Sequence, residues 1–310
     1  MEAPGSLRRW IKPAVGLALV FAVLVQLQAA TLIQTLRSVD WQWLTAGLAL
    51  AFFSNLVCSL RWRKIVLQLG WPLEKGQAFR LYFQGIAANT VLPGGIIGGD
   101  IWRVLGLSKM GMSKSSAAQS VVADRAIGFW ALSILSLGAF FFHISLKQMS
   151  SVRAPQALVV IYLILLVCVS LLPVLLRWFK AEWIRGLLFP ASLSIVTQLL
   201  TITAFLCCLL AVQAEFSSLS VAMLCAGIFL GAAIPASIGG FGSRELASVF
   251  FLAGLGIQPE AAFLASVLFG LTATVQGLLV LPFWSISDLR REQSFSLRDV
   301  EKQESVRQKN

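Results

Sequence analysis

Apolar residues in this chain run in long unbroken blocks. They show neither the strict alternation of a half-buried strand nor the three-and-four spacing of a soluble helix. Six blocks, near 13–32, 41–60, 119–142, 156–176, 187–212 and 260–284, are each long enough at ~1.5 Å per residue to cross a hydrocarbon layer of ~30 Å. They are predicted to be transmembrane helices. The first follows Arg8, Arg9 and Lys12, as a secretory signal would, but it exceeds the usual ~7–15-residue apolar core of such a signal and is read as a retained span.

Two further apolar stretches, 79–107 and 219–256, are broken in the middle by helix breakers. The first contains Asn89-Thr90-Val91-Leu92-Pro93-Gly94-Gly95-Ile96-Ile97-Gly98-Gly99-Asp100, and the second Ile234-Pro235-Ala236-Ser237-Ile238-Gly239-Gly240-Phe241-Gly242-Ser243-Arg244-Glu245. Inside a helix a proline costs ~3 kcal/mol and each glycine ~1 kcal/mol, so neither stretch is expected to be continuous. Irregular backbone at membrane depth persists only where protein or a wet cavity surrounds it. Each stretch is therefore predicted to be a re-entrant helical hairpin that enters and leaves on one face. The fold class expected is an all-α polytopic membrane protein of six transmembrane helices plus two re-entrant hairpins.

Composition agrees. Of 310 residues, 57% are hydrophobic and only 13% charged, against ~45–50% and ~25% in soluble domains, which excludes a water-soluble globule. The net charge of +11 would suit nucleic acid, but its distribution gives another reason. With the spans above, nineteen Lys and Arg residues fall on one side and only Arg37, Lys147 and Arg153 on the other. That asymmetry orients the chain with both termini cytoplasmic. It makes the charge topogenic, and no nucleic-acid partner is needed.

The elements divide in two. Each half, about 1–145 and 150–285, holds two spans, a broken hairpin and a third span. Pro93 and Pro235 are separated by nearly the same shift as the first spans of the halves. Three crossings per half invert the second copy, so one hairpin enters from each face. Paired Gly/Pro-broken segments in an inverted repeat mark a transport site near the bilayer midplane. Residues 1–285 are read as one domain and 286–310 as a mobile cytoplasmic tail.

Three acid–base pairs remain within or beside the apolar segments: Asp100 with Arg103, Asp124 with Arg125, and Arg244 with Glu245. A lone charge at a helix centre costs ~2.5–3.5 kcal/mol, so such residues pair or face a cavity. Asp100 after Gly98-Gly99, and Ser243 after Gly242, suit helix N-caps. An N-terminus with an arginine beside it would seat a phosphate. The other reading, topological glue that lets broken backbone pack, stands beside this one, and Asp124-Arg125 would also fit a snorkelling position at the interface. Cys58, Cys168, Cys207, Cys208 and Cys225 lie in apolar runs and read as small hydrophobes. The single histidine, His143, reads as interfacial. It leaves no basis for a His-rich metal site or a catalytic triad, and no metal, cofactor or catalytic residue is expected. Trp10, Trp41, Trp43, Trp62, Trp71, Trp178, Trp183 and Trp284 near span ends read as an aromatic belt. Asn55, Gln198, Thr201, Thr203, Thr272, Thr274 and Gln276 read as helix-to-helix hydrogen-bonding groups.

The run Ala88 to Arg103, then Ser120-Val121-Val122-Ala123-Asp124-Arg125-Ala126-Ile127-Gly128, then Ile234 to Glu245, resembles the flippase-like integral membrane family that includes the transmembrane region of lysylphosphatidylglycerol synthases. The resemblance spans essentially the whole chain. It implies a bacterial inner-membrane protein that handles a phospholipid, polyprenyl-phosphate or glycolipid. The chain ends 26 residues past the last predicted span, without the soluble domain that performs aminoacyl transfer in the synthases, so that chemistry is not expected.

The function expected is translocation of a lipid with an anionic headgroup. Arg103, Arg125 and Arg244 would contact the headgroup together with the hairpin N-termini around Pro93, Gly94, Gly98, Gly99, Pro235, Gly239, Gly240 and Gly242. Asn89 and Ser243 would add hydrogen bonds, and Asp100, Asp124 and Glu245 would orient the arginines or titrate. No G-x-x-x-x-G-K-[ST] motif is present, so ATP is not the direct driver. Two alternatives stay open: an integral-membrane transferase with one of those acids as general base, and a non-catalytic partner of a lipid-modifying enzyme.

Overall fold

The structure, a computed structural model, describes residues 29–91, 97–145, 164, 167, 181–232 and 242–280. The described residues are helical, with turns between helices and no strand. In chain order the helices are α1 (Ala29–Arg37), α2 (Trp41–Gln68), α3 (Lys75–Val91), α4 (Ile97–Lys109), α5 (Lys114–Ser145), α6 (Ala181–Ala211), α7 (Ser218–Ala232), α8 (Ser243–Ala253) and α9 (Pro259–Val280). Four of them, α2, α5, α6 and α9, are long and apolar enough to cross a membrane. They match the expected spans 41–60, 119–142, 187–212 and 260–284. The expected spans 13–32 and 156–176 lie almost wholly outside the described residues, as does the tail. The outward faces of the four long helices expose Phe53, Val122, Leu199 and Leu279, as contact with hydrocarbon requires.

Helix α2 overruns its expected end by two turns. It starts where the Asp40 carboxylate accepts the Gln42 N–H at 2.8 Å, a side-chain cap on an otherwise orphan donor. It stops in a Schellman arrangement, with the Gly70 N–H bonded to Leu67 O and the Trp71 N–H to Val66 O. Gly70 takes φ 80° there, a conformation that costs glycine nothing and other residues ~1–2 kcal/mol. Antiparallel to α2 lies α6, in contact along its length: Asp40 N–H reaches Ala211 O, Ser54 Oγ reaches Thr197 O, and Gln68 reaches Gly186 O.

The described parts of the two broken stretches are pairs of antiparallel helices, here called the hairpins. In the first, α3 and α4 run antiparallel with Gly85 against Gly99. In the second, α7 and α8 do the same, with Gly231 against Ser243 and Ala247. These helices have 17, 13, 15 and 11 residues, all shorter than the ~20 that span a bilayer. Each hairpin rests on the long helix of the opposite half. Gly277 of α9 lies against Ala87 of α3, and Ser136 Oγ of α5 donates to Ala222 O and accepts from the Ala226 N–H of α7. Two apolar clusters result. One is built around Phe205, Ile228, Leu252 and Leu268 and the other around Trp62, Leu81, Leu107 and Val121.

His143, near the end of its span, is not exposed: it is buried between α5 and α7 with Nδ1 3.4 Å from Ser220 Oγ. Trp62 does not belong to an aromatic belt either. It is fully buried and donates to Ser120 Oγ at 3.2 Å.

Candidate functional site

Between the two apolar clusters is a cavity of about 290 Å³. The long helices line it near their middles, through Ser54, Asn55, Cys58 and Arg61 of α2, Asp124, Arg125 and Phe129 of α5, Gln198 and Thr201 of α6, and Phe269, Thr272 and Thr274 of α9. Both hairpins reach it with residues beside their breaks: Asn89, Gly99, Asp100 and Arg103 from the first, Phe229, Ala232 and Arg244 from the second.

One wall is a chain of charges. Asp124, 1% exposed, accepts from Nε and Nη2 of Arg61 at 2.8 Å and from Nη1 of Arg103 at 2.9 Å. Arg103 Nη2 also donates to Asp100 Oδ1 at 2.6 Å. Asp100 in turn accepts from Nε of Arg125 at 3.0 Å and from its Nη2 at 2.8 Å. Burial of unpaired charge is expensive and a fully hydrogen-bonded network offsets that cost, so the alternation Arg61–Asp124–Arg103–Asp100–Arg125 is what lets five charges sit in an apolar protein. Arg61 completes its donors on α6, giving Nη1 to Ser194 Oγ at 3.0 Å. Arg103 lies over the rings of Tyr82 and Trp62, 4.9 and 5.1 Å from their centroids.

Across the cavity is a second pair. Arg244 Nη2 donates to Glu245 Oε1 at 2.6 Å, and Ser266 Oγ donates to the same oxygen at 3.0 Å. Glu245 Oε2 accepts the Gly242 N–H at 2.5 Å, which turns the Glu245 side chain back onto the start of its own helix. Gly242, at φ 104°, is the capping position there. The Arg244 guanidinium also lies 5.7 Å from the Phe269 ring centroid.

The expected site residues are only partly brought together. Asn89, Gly99, Asp100, Arg103, Asp124, Arg125 and Arg244 line the cavity. Gly98, Gly242, Ser243 and Glu245 are buried behind it. Pro93, Gly94, Pro235, Gly239 and Gly240 lie outside the described residues. The caps differ from expectation. Asp100 is the fourth residue of α4 rather than its N-cap, and Asn89 Oδ1 accepts the Gly99 N–H at 2.6 Å. Ser243 is the first residue of α8, and its Oγ has no partner among the described residues. Asp124 and Arg125 do not pair with each other: Asp124 is held by Arg61 and Arg103, and Arg125 by Asp100.

Arg61 is the functional-site residue that sequence reasoning missed, because it opens the basic run Arg61-Trp62-Arg63-Lys64 and reads as a loop residue. The signal for it was present. Ala51, Ser54, Cys58 and Arg61 recur at helical spacing as a stripe of small and polar groups on an apolar helix, and all four line the cavity. Several residues assigned only to helix-to-helix bonding also face it, although Asn55 Nδ2 does donate to Gln276 Oε1 at 2.8 Å and Gln198 Nε2 to Gly128 O at 3.1 Å.

Among the described residues, four arginines and two aspartates line the cavity, and with Glu245 behind Arg244 these seven side chains carry one surplus positive charge. Among the described residues, no three His, Cys, Asp or Glu side chains are grouped as a metal site needs. The arrangement is suited to holding an anion. Residues 9–280 match the family model described as lysylphosphatidylglycerol synthase TM region. No curated protein matches the chain.

Proposed function

This chain belongs to the lysylphosphatidylglycerol synthase TM-region family, a family of multi-pass membrane domains tied to lipid handling, and from that premise we propose that it is a lipid translocase for an anionic headgroup. It works in the bacterial inner membrane with both termini cytoplasmic. The headgroup enters the arginine-lined cavity while its acyl chains stay in hydrocarbon. The two hairpins are re-entrant, one from each face, and belong to an inverted repeat. That topology is supported by the distribution of basic residues, eighteen to three once Arg61 is placed in the cavity wall, and by the exchanged packing of each hairpin on the other half's long helix.

The observation that carries the proposal is that residues beside both breaks line one net-positive cavity at mid-span. A headgroup transferase is the less favoured reading. Both carboxylates that line the cavity are engaged by arginines, an arrangement that orients cations better than it abstracts protons.

The test uses purified full-length protein in vesicles carrying tail-labelled fluorescent phosphatidylglycerol. Chemical quenching of the outer leaflet measures transbilayer movement, and mass spectrometry checks that the lipid is unchanged. Arg125→Gln is expected to slow movement at least about tenfold, since a charge-assisted hydrogen bond contributes ~1.5–3 kcal/mol. Its only ion-pair partner among the described residues is Asp100, and its side chain is 36% exposed, so folding should survive. A wild-type rate in that variant, or chemical conversion of the lipid, would reject translocation through this site.

A further inference from the structure

We propose that the cavity opens where α9 parts from α2, carrying α8 with it, and that the amide contact between Asn55 and Gln276 is the latch on that seam. The inference rests on the translocation reading for its purpose, but it concerns which helices separate and not what passes between them.

Two equivalent bonds set the register of the halves. Arg103 of α4 donates to Asp124 of α5, 21 residues on, and Ser266 of α9 donates to Glu245 of α8, again 21 residues apart. Arg103 and Glu245 also stand equally far from Pro93 and Pro235. Each half thus ties its closing helix, α5 or α9, to its own hairpin at the same position. Helices α2 and α6 keep nearly the same shift, since Ser54 Oγ, at the middle of their antiparallel contact, donates to Thr197 O 143 residues on. A contact between counterparts is its own equivalent in a two-fold arrangement, which makes the α2–α6 pair the frame about which the halves are set.

The halves differ in how the closing helix is fastened to that frame. In the first, Asp124 of α5 accepts from Nε and Nη2 of Arg61 on α2 at 2.8 Å, both side chains almost wholly buried. In the second, the counterpart of Asp124 is Ser266, and that of Arg61, two turns past Thr197, is Ala204. Ala204 is fully buried, and an alanine and a serine form no ion pair. Helix α9 is fastened instead by Asn55 Nδ2 of α2, which donates to Gln276 Oε1 at 2.8 Å. A hydrogen bond between neutral groups contributes roughly half as much as one to a charged group, so α9 is the closing helix that comes away at the lower cost. Its contact with α6 is apolar, Phe269 edge-on to Phe205 with centroids 5.7 Å apart, and suits a hinge. Against α3 it presents Gly277 to the Ala87 backbone, a surface with no side chain to catch. Asn55, Thr272 and Thr274 line the cavity, so releasing the latch opens the cavity itself.

Cys58 reports the opening. It lies one turn past Asn55 on α2 and is half-buried on the cavity wall, whereas Cys225 of α7 is fully buried and serves as the reference. Purified full-length protein in detergent is treated with a sulfonated methanethiosulfonate, and modification of each cysteine is timed by mass spectrometry. Gln276→Leu and Asn55→Ala are each expected to speed modification of Cys58 about threefold to tenfold, the range that one neutral hydrogen bond sets, with Cys225 unchanged. The double variant should be no faster than the faster single one, since both remove the same bond. A Cys58 rate in Gln276→Leu within about twofold of wild type overturns the proposal. So does a double variant whose effects multiply, or a Cys225 rate that rises in step and so reports general loosening. Lipid movement in vesicles is measured on the same preparations. If Cys58 responds as expected and no lipid moves, the gate stands and translocation falls; if lipid moves and Cys58 does not respond, the gate falls and translocation stands.

Discussion

Replacing Asp124 by alanine is expected to destabilise the folded protein by ~3–5 kcal/mol, the largest effect of any single substitution at the site. Its carboxylate is the common acceptor of Arg61 and Arg103, and both guanidiniums are almost wholly buried. Removing it leaves Arg61 with no counter-charge and Arg103 with Asp100 alone. Truncating one partner of a buried pair costs this much because the surviving charge has no solvent to turn to. Ser194 and Thr197 would still receive Arg61 Nη1, but neutral hydroxyls do not replace a counter-charge. Asp124→Asn should fall between alanine and wild type, since it keeps an acceptor oxygen and loses the charge. Unfolding of detergent-solubilised protein, followed by size exclusion after graded heating, reads the order directly. An alanine variant as stable as wild type would mean that the charge chain does not support the fold.

The second large effect is steric. A Cβ on Gly99 would overlap the carbonyl oxygen of Gly85 and lie 2.7 Å from both Gly85 C and Asn89 Oδ1. Two of these three atoms belong to the backbone, and no rotamer change relieves them. Gly99→Ala must therefore part α3 from α4, an overpacking cost of ~1–3 kcal/mol or more. It also moves Asp100 and Arg103, the next residues on that helix, off Asp124 and Arg125. Lipid movement is thus expected to be lost even where the protein survives. Gly138→Ala is the matched control. A Cβ there meets nothing within 4 Å, and alanine should gain up to ~1 kcal/mol of helix propensity in α5. Equal melting behaviour of the two variants would refute the close approach of α3 and α4.

Much of this architecture was legible in the sequence for a simple reason. Crossing hydrocarbon demands long apolar runs, so α2, α5, α6 and α9 announce themselves, and glycine with proline in an apolar stretch announces a break. What escaped was whatever depends on direction rather than composition. Ending the span at residue 60 left Arg61 among the cytoplasmic bases and Trp62 in an aromatic belt, whereas α2 continues past them and turns both inward. Pairing Asp124 with Arg125 used sequence adjacency, yet the partners of Asp124 are 63 and 21 residues away. The same limit applied to Asn55, Gln198 and Thr201. A polar group within a span can bond a neighbouring helix or face a cavity, and only the assembled bundle shows that these do both.

The exchanged contacts of the two hairpins bear on how such a chain is made. A ribosome releases the first half while the second is still being synthesised, so α3 is in the bilayer before α9 exists to receive it, and Arg61 before Ser194 can accept from it. The half-made product already holds both acids and all three arginines of the charge chain, but it lacks the hydroxyl partners of α6 and the packing of α9. It gains those only when the later helices are made, so premature termination near the midpoint is expected to yield a substrate for quality-control proteolysis rather than a functional half.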